Sequence, residues 1–151
     1  MRPVQLDLEG FTVFRELVSI DFRDTEYFAL TGPTGVGKSS ILDAICFALY
    51  GQVPRWEDAR TRGEYALLPS ANRGWIQLLF DVGGERYLVV RELRRSKAGV
   101  KTTSRLEKLV DPIAGVDGET IPVEHDSGVT PAIERVVGLE FSHFTTCVLL
   151  P

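Results

Sequence analysis

The chain has 151 residues, 44% of them apolar and 25% charged, with a net charge of −4. That is an ordinary globular composition with room for one core, and it excludes a free basic tail, so any DNA contact has to be local. The opening residues Met1 to Asp7 hold no apolar leader segment, and the longest apolar stretch, Ala44 to Tyr50, is too short to span a bilayer.

Taken in chain order, Val4 to Glu9 alternates Val4, Leu6 and Leu8 against Gln5, Asp7 and Glu9, the period of a half-buried strand. Gly10-Phe11 breaks it. Leu17 to Phe22 alternates again, with Val18, Ile20 and Phe22 expected inward. Tyr27 to Thr31 is a short apolar run that predicts a buried strand. Lys38 to Tyr50 has good helix formers and no Gly or Pro, and Gly51 stands where a C-cap belongs. Ile41, Leu42 and the run from Ala44 to Leu49 are apolar nearly all round, as in a helix buried on several sides.

Gln52 to Arg73 reads as polar and irregular, with Pro54 and Pro69. Trp75–Val82 and Glu85–Leu93 predict two strands joined by Gly83-Gly84, a hairpin signal. Lys101–Val110 predicts a third strand after a Lys97-Ala98-Gly99 turn. A loop rich in Gly, Pro and Asp follows. Thr130-Pro131 reads as N-cap and first turn of a short helix ending at Val137, with Gly138 beyond it. Phe141 to Thr145 predicts one more turn, and Cys147 to Leu150 a terminal strand. The expected fold is mixed α/β, a glycine-loop helix packed on an antiparallel-rich sheet.

The chemistry concentrates at Gly32-Pro33-Thr34-Gly35-Val36-Gly37-Lys38-Ser39, which matches the phosphate-loop pattern G-x-x-x-x-G-K-[ST] without a mismatch. The glycines let the main chain turn left-handed and approach phosphates closely. Successive N–H groups, continuing into Ser40, then converge on an anion at a helix N-terminus. Lys38 supplies a compact positive charge for the β- and γ-phosphates, and Ser39 offers a hydroxyl to Mg²⁺. Nucleotide binding, with ATP and Mg²⁺ as cofactors, is the reading these residues support.

A working phosphate-loop ATPase also needs a metal-site carboxylate and a group that orients water. The only imitation is Leu78-Leu79-Phe80-Asp81. Gln77 interrupts its apolar run, Val82 stands where a base belongs, and Gly83-Gly84 makes it half of a hairpin. A solvent-facing hairpin residue is the better reading of Asp81. Two alternatives stay open: a self-contained phosphate-loop enzyme or kinase using Asp81, and a non-catalytic module that binds DNA or a partner.

Several stretches together resemble the amino-terminal part of the SbcC family, in the SMC-like branch of ABC ATPases. They are Phe28 to Gly35, Gly37 to Cys46, Ala48 to Gly51, Pro54-Arg55, Thr61-Arg62, and Phe144-Thr145 to Pro151. The resemblance runs over essentially the whole chain and is weak in residues 95–128. It implies an ABC-type half-head with antiparallel hairpins over residues 1–151, ending just before the expected Q-loop glutamine. It implies that the coiled coil, the Walker B carboxylates and the signature motif lie outside this sequence. The intact protein would then hydrolyse ATP at two sites shared between two subunits, with Lys38 stabilising charge on the phosphates. Its partners would be its own carboxy-terminal head lobe, a second copy, the nuclease SbcD and double-stranded DNA, in the cytoplasm. In some relatives a basic residue follows the phenylalanine matching Phe11 and helps hold the nucleotide. This chain has Thr12-Val13 there, so the adenine contact stays open. Asp43, one turn beyond Ser39, reads as a helix cap or packing partner.

Arg91, Arg94, Arg95, Lys97 and Lys101 form a basic run with a single acid, Glu92. They are candidates for gripping DNA phosphates without reading sequence, the alternative being a solvated hairpin face. His125 and His143 have no useful neighbours and read as structural. Trp56 and Trp75 read as packing residues. Cys46 and Cys147 lie far apart without metal-type spacing, and Cys46 reads as a buried small hydrophobe.

Overall fold

The computed structural model describes residues 1–25, 27–56, 62–110 and 119–147. A six-stranded antiparallel sheet runs in the order β2-β1-β3-β4-β5-β6. Its strands are β1 (Arg2–Glu9), β2 (Val18–Asp21), β3 (Arg73–Val82), β4 (Glu85–Ser96), β5 (Gly99–Leu109) and β6 (Thr120–His125). Four helices complete the described fold: α1 (Lys38–Tyr50), α2 (Arg62–Ala66), α3 (Val129–Val137) and α4 (Phe141–Cys147). The Gly83-Gly84 hairpin is present, with Val82 paired to Glu85, and so is the turn into β5.

Alternation along the strands builds two unlike faces. The inner face carries Leu6, Leu8, Ile76, Leu78, Phe80, Val89, Leu93 and Leu106, all buried in one core with α1. There Phe11, Phe47 and Trp56 form an aromatic triangle with centroids 5.7 to 6.1 Å apart. The outer face holds a smaller apolar cluster of Val4, Leu79, Leu88, Val90 and Leu109 and is otherwise mostly polar or charged. Val4 joins that cluster, not the inner core of Leu6 and Leu8, because a register shift between Pro3 and Gln5 turns it over.

β1 and β3 approach so closely at one end that side chains have no room between them. A Cβ on Gly10 would sit 2.5 Å from the Arg73 carbonyl oxygen, and one on Gly74 would sit 2.6 Å from that of Gly10. This contact launches the chain into a tight turn in which Phe11 and Phe14 exchange main-chain hydrogen bonds of 3.1 and 2.8 Å.

Several expectations need correction. Tyr27 to Thr31 forms no strand: it pairs with none of the six strands of the described sheet, and Tyr27 is 92% exposed. Leu42 breaks the all-round burial of α1 at 41% exposed. The stretch after Pro54 contains the short helix α2. Strand β6 has no counterpart in the sequence pattern; Pro122 lies within it, which an edge strand tolerates. Thr130 is not an N-cap: α3 begins at Val129, after a 3₁₀ turn at Asp126–Gly128. Cys147 closes α4 and does not open a strand. Residues 148–151 and the Gly/Pro/Asp loop at 111–118 lie outside the described residues.

Candidate functional site

The phosphate loop leads directly into α1. Gly37 occupies the N-cap with φ 96°, a conformation that suits glycine. Added bulk there would also collide with Phe14, whose Cζ lies 2.7 Å from the position of a Cβ. The first turn of α1 carries no acid to oppose an anion, so its free N–H groups and positive dipole end face the loop. Lys38 Nζ turns back over the loop and donates to the carbonyl oxygens of Gly32 at 2.8 Å and Pro33 at 2.6 Å. Ser39 is exposed at the mouth, while Ser40 is buried at 7% exposure. Loop N–H groups, Lys38 and an exposed Ser39 hydroxyl together fit a nucleotide triphosphate and Mg²⁺.

Beside the loop lies a depression of about 330 Å³ lined by Phe14, Ala29, Leu30, Thr31, Val36, Gly37, Lys38 and Ile41. Val13, 55% exposed, and Phe14 both press on Gly37. An apolar pair therefore stands where the sequence left the adenine contact open. The spacing of the tight Phe11–Phe14 turn to the loop is not visible in sequence, so nothing there singled out Phe14.

Further along α1, Asp43 is buried at 8% exposure and ion-paired with Arg55. Burial raises its carboxyl above the usual range, and the Arg55 guanidinium opposes that rise. Asp43 is thus a packing partner, in keeping with its place one turn beyond Ser39. Cys46 lies in the core, and burial, with Asp43 nearby, pushes its thiol up to about 12.

Asp81 is held at the hairpin end of β3. Its carboxylate accepts from Arg86 Nε at 2.7 Å and from Arg2 Nη2 at 3.3 Å. The hydrogen bond from Arg86 holds the carboxyl below its ordinary range. Among the described residues no cluster of three or more His, Cys, Asp or Glu side chains is placed to hold a metal.

The basic run divides between the two faces. Arg91 is not a surface contact: it is 4% exposed, on the inner face of β4, with its guanidinium on the end of α1. Strand alternation, which puts it on the same side as Val89 and Leu93, was the available signal. Arg95 also turns inward, donating to Glu64 at 2.7 Å and the Ala71 carbonyl at 3.2 Å. Lys97 is exposed at the turn. Arg94 and Lys101 lie on the outer face as register partners, and Arg73 pairs across from Arg94. Three cations from three strands therefore form one row, at the rim of a 660 Å³ depression floored by Trp75, Gln77, Val90 and Thr103. Arg73 was missed because it lies far from the basic run in sequence. Trp75 lines this depression and donates to Glu9 at 3.3 Å, so it has the basic company that its sequence neighbours lack.

Residues 5–124 match the family model described as an AAA domain. The chain is 44% identical over 154 residues to the SbcC subunit of nuclease SbcCD from Deinococcus radiodurans, covering all of this chain and 16% of that protein. It is 32% identical over 151 residues to the "Probable DNA double-strand break repair Rad50 ATPase" of Aquifex aeolicus, covering 14% of it. The chain thus spans about one sixth of the length of the curated relatives it matches. A solved SMC ATPase, described for ATP-driven dimerization and DNA-stimulated activation, superposes with a TM-score of 0.59 at 19% identity, covering 91% of this chain and 78% of that one. The fold is accordingly that of the amino-terminal half of an SMC-type ATPase head. On the sequence match and the phosphate loop together, the chain belongs to the AAA domain family, with SbcC and Rad50 ATPases as its homologues.

Proposed function

We propose that this chain is the ATP-binding part of an SbcC-type DNA-repair ATPase. The observation that carries the reading is the glycine loop running straight into the N-terminus of α1, with Gly37 at its N-cap, the Lys38 ammonium folded over the loop and the Ser39 hydroxyl exposed. Gly32, Pro33, Thr34, Gly35, Val36, Gly37 and Ser40 wrap the phosphates. Lys38 neutralises charge on them, and Ser39 ligates Mg²⁺. Val13 and Phe14 form an apolar wall on the base side of the loop, in place of the basic residue of some relatives. Bound MgATP supplies the phosphoryl-transfer chemistry; this chain binds and orients it.

The homologues' names supply the setting: a nuclease complex and double-strand break repair. On that reading the chain works with its own carboxy-terminal head lobe, a second copy and the nuclease SbcD, in the cytoplasm. The exposed apolar side chains of Tyr27 and Phe28 are the surface a carboxy-terminal lobe would cover. Double-stranded DNA would lie on the outer sheet face, over Arg94, Lys101 and Arg73, with Lys97 at its edge. No helix among the described residues is long and apolar enough to cross a membrane. The self-contained alternative through Asp81 loses ground, since two arginines already occupy that carboxylate.

The test is MgATP binding and hydrolysis by this chain, with and without an SbcC carboxy-terminal head segment, and with Lys38→Ala as control. Hydrolysis only in the mixture, and lost in the variant, supports the composite site. Hydrolysis by the chain alone sinks it. Partner or DNA binding that Lys38→Ala and nucleotide leave untouched would favour the non-catalytic module.

A further inference from the structure

Three cations stand side by side on the outer face of the sheet. Arg73 pairs in register with Arg94, and Arg94 with Lys101, and all three side chains are exposed. Like charges directly opposite one another destabilise a sheet, so this row costs stability until an anion joins it. Among the described residues, the ion pairs of this region engage Arg95 and Arg105, and none engages Arg73, Arg94 or Lys101.

The next row along the strands, about 7 Å away by strand rise, is of another kind. It reads Glu9, Trp75, Glu92 and Thr103 across β1, β3, β4 and β5. Trp75 lines the 660 Å³ depression whose rim carries the cations. Its Nε1 donates to Glu9 at 3.3 Å. That bond lies in the plane of the indole and leaves the ring faces unused. Trp56 has Phe11, Phe47 and Tyr65 around it, whereas Trp75 has no aromatic partner among the described residues. The glutamates on either side repel a phosphate and admit a neutral base. The charge pattern thus sets which way round a nucleotide sits, with its phosphate on the cations and its base over the indole.

Resting on the reading of this face as a DNA surface, we infer that the depression holds one unpaired nucleotide at a DNA end, stacked on Trp75. A base inside a duplex has both faces covered by its neighbours and cannot use the indole. An unpaired base has a face to offer, and stacking on an aromatic ring tolerates any base. The site therefore tells a frayed or overhanging end from an uninterrupted duplex without reading sequence. Arg73, Arg94 and Lys101 supply affinity for either form through phosphate; Trp75 supplies the difference between them.

The experiment measures the affinity of the full chain, at one salt concentration, for three DNA duplexes. One is blunt, one carries a short thymine overhang, and one carries an overhang of the same length made of abasic sites. The wild type binds the thymine overhang about fivefold or more tighter than the abasic one, which has the same phosphates without the bases. Trp75→Leu brings that ratio to about one and leaves blunt-duplex affinity unchanged, while Trp75→Phe keeps an aromatic face and much of the ratio. A Trp75 that only packs would shift melting temperature in Trp75→Leu and leave the ratio intact. In Trp56→Phe, where Trp75 is the sole tryptophan, the thymine overhang quenches the emission and the abasic one does not. This second readout stands should Trp75→Leu fail to fold. A wild-type ratio of one, a ratio unchanged in Trp75→Leu, or Trp75 emission indifferent to the thymines overturns the inference. The DNA reading of the face survives those results if the blunt duplex still binds. Binding of none of the three duplexes removes both.

Discussion

The two faces of the sheet are made by the same strands and obey different rules. On the inner face, Leu78, Phe80, Val89 and Leu93 meet α1 in a continuous core. On the outer face, one residue away along each strand, Trp75, Glu92, Arg94 and Thr103 line an open depression. The inner face stabilises the fold through burial, and substitutions there are felt as cavities. Away from the apolar cluster of Val4, Leu79, Leu88, Val90 and Leu109, the outer face is a charged surface with little packing to lose, so substitutions there alter binding and spare the fold.

The sharpest test of that contrast is Phe47→Ala. Phe47 is 1% exposed and in contact with Phe11 and Trp56. Its truncation is expected to cost about 3–5 kcal/mol in denaturant unfolding, whereas Arg94→Ala on the outer face should change stability by less than about 0.5 kcal/mol. A large loss in Arg94→Ala would break the comparison. Lys38→Ala comes next. It should weaken MgATP binding by about a hundredfold, near 2.7 kcal/mol, in calorimetric titration, with unfolding little changed.

The double variant Arg94→Gln and Lys101→Gln is expected to lower the slope of log affinity for duplex DNA against log salt by about two. Nucleotide affinity measured alone should hold. An unchanged slope would place the DNA elsewhere. The smallest effect belongs to Asp81→Asn, about 1 kcal/mol or less, since its ion pairs are partly exposed. Its folded carboxyl lies below the ordinary range. The stability it contributes is therefore present above the unfolded value of about 4 and lost as pH falls toward the folded one. Acid titration of melting temperature, wild type against Asp81→Asn, reads that difference.

What was legible in the sequence was local. The span of α1, its Gly51 cap, the Gly83-Gly84 hairpin and the phosphate loop each depend on residues close together in the chain, and each appears where expected. What was not legible depends on neighbours. Tyr27 to Thr31 has the composition of a buried strand, but burial needs a covering layer, and here Tyr27 and Phe28 stand open to solvent. Arg91 reads as one more cation in a solvated run until the pleat turns it toward the end of a helix. Arg73 and Trp75 join the basic row only through register. Strand β6 hid behind Pro122, a residue that marks a sheet edge as readily as a loop.

The chain has two tryptophans, and the fold assigns one to each face. Trp56, 8% exposed, sits among Phe11, Phe47 and Tyr65 in the inner core, while Trp75 is half-buried on the outer floor. The protein therefore carries two optical reporters already separated by environment. A soluble quencher should reach Trp75 and spare Trp56, so the emission divides into a blue, protected part and a redder, accessible one. Trp75→Phe leaves a probe of the core beneath α1, and Trp56→Phe leaves a probe of the basic depression, with no dye attached to either.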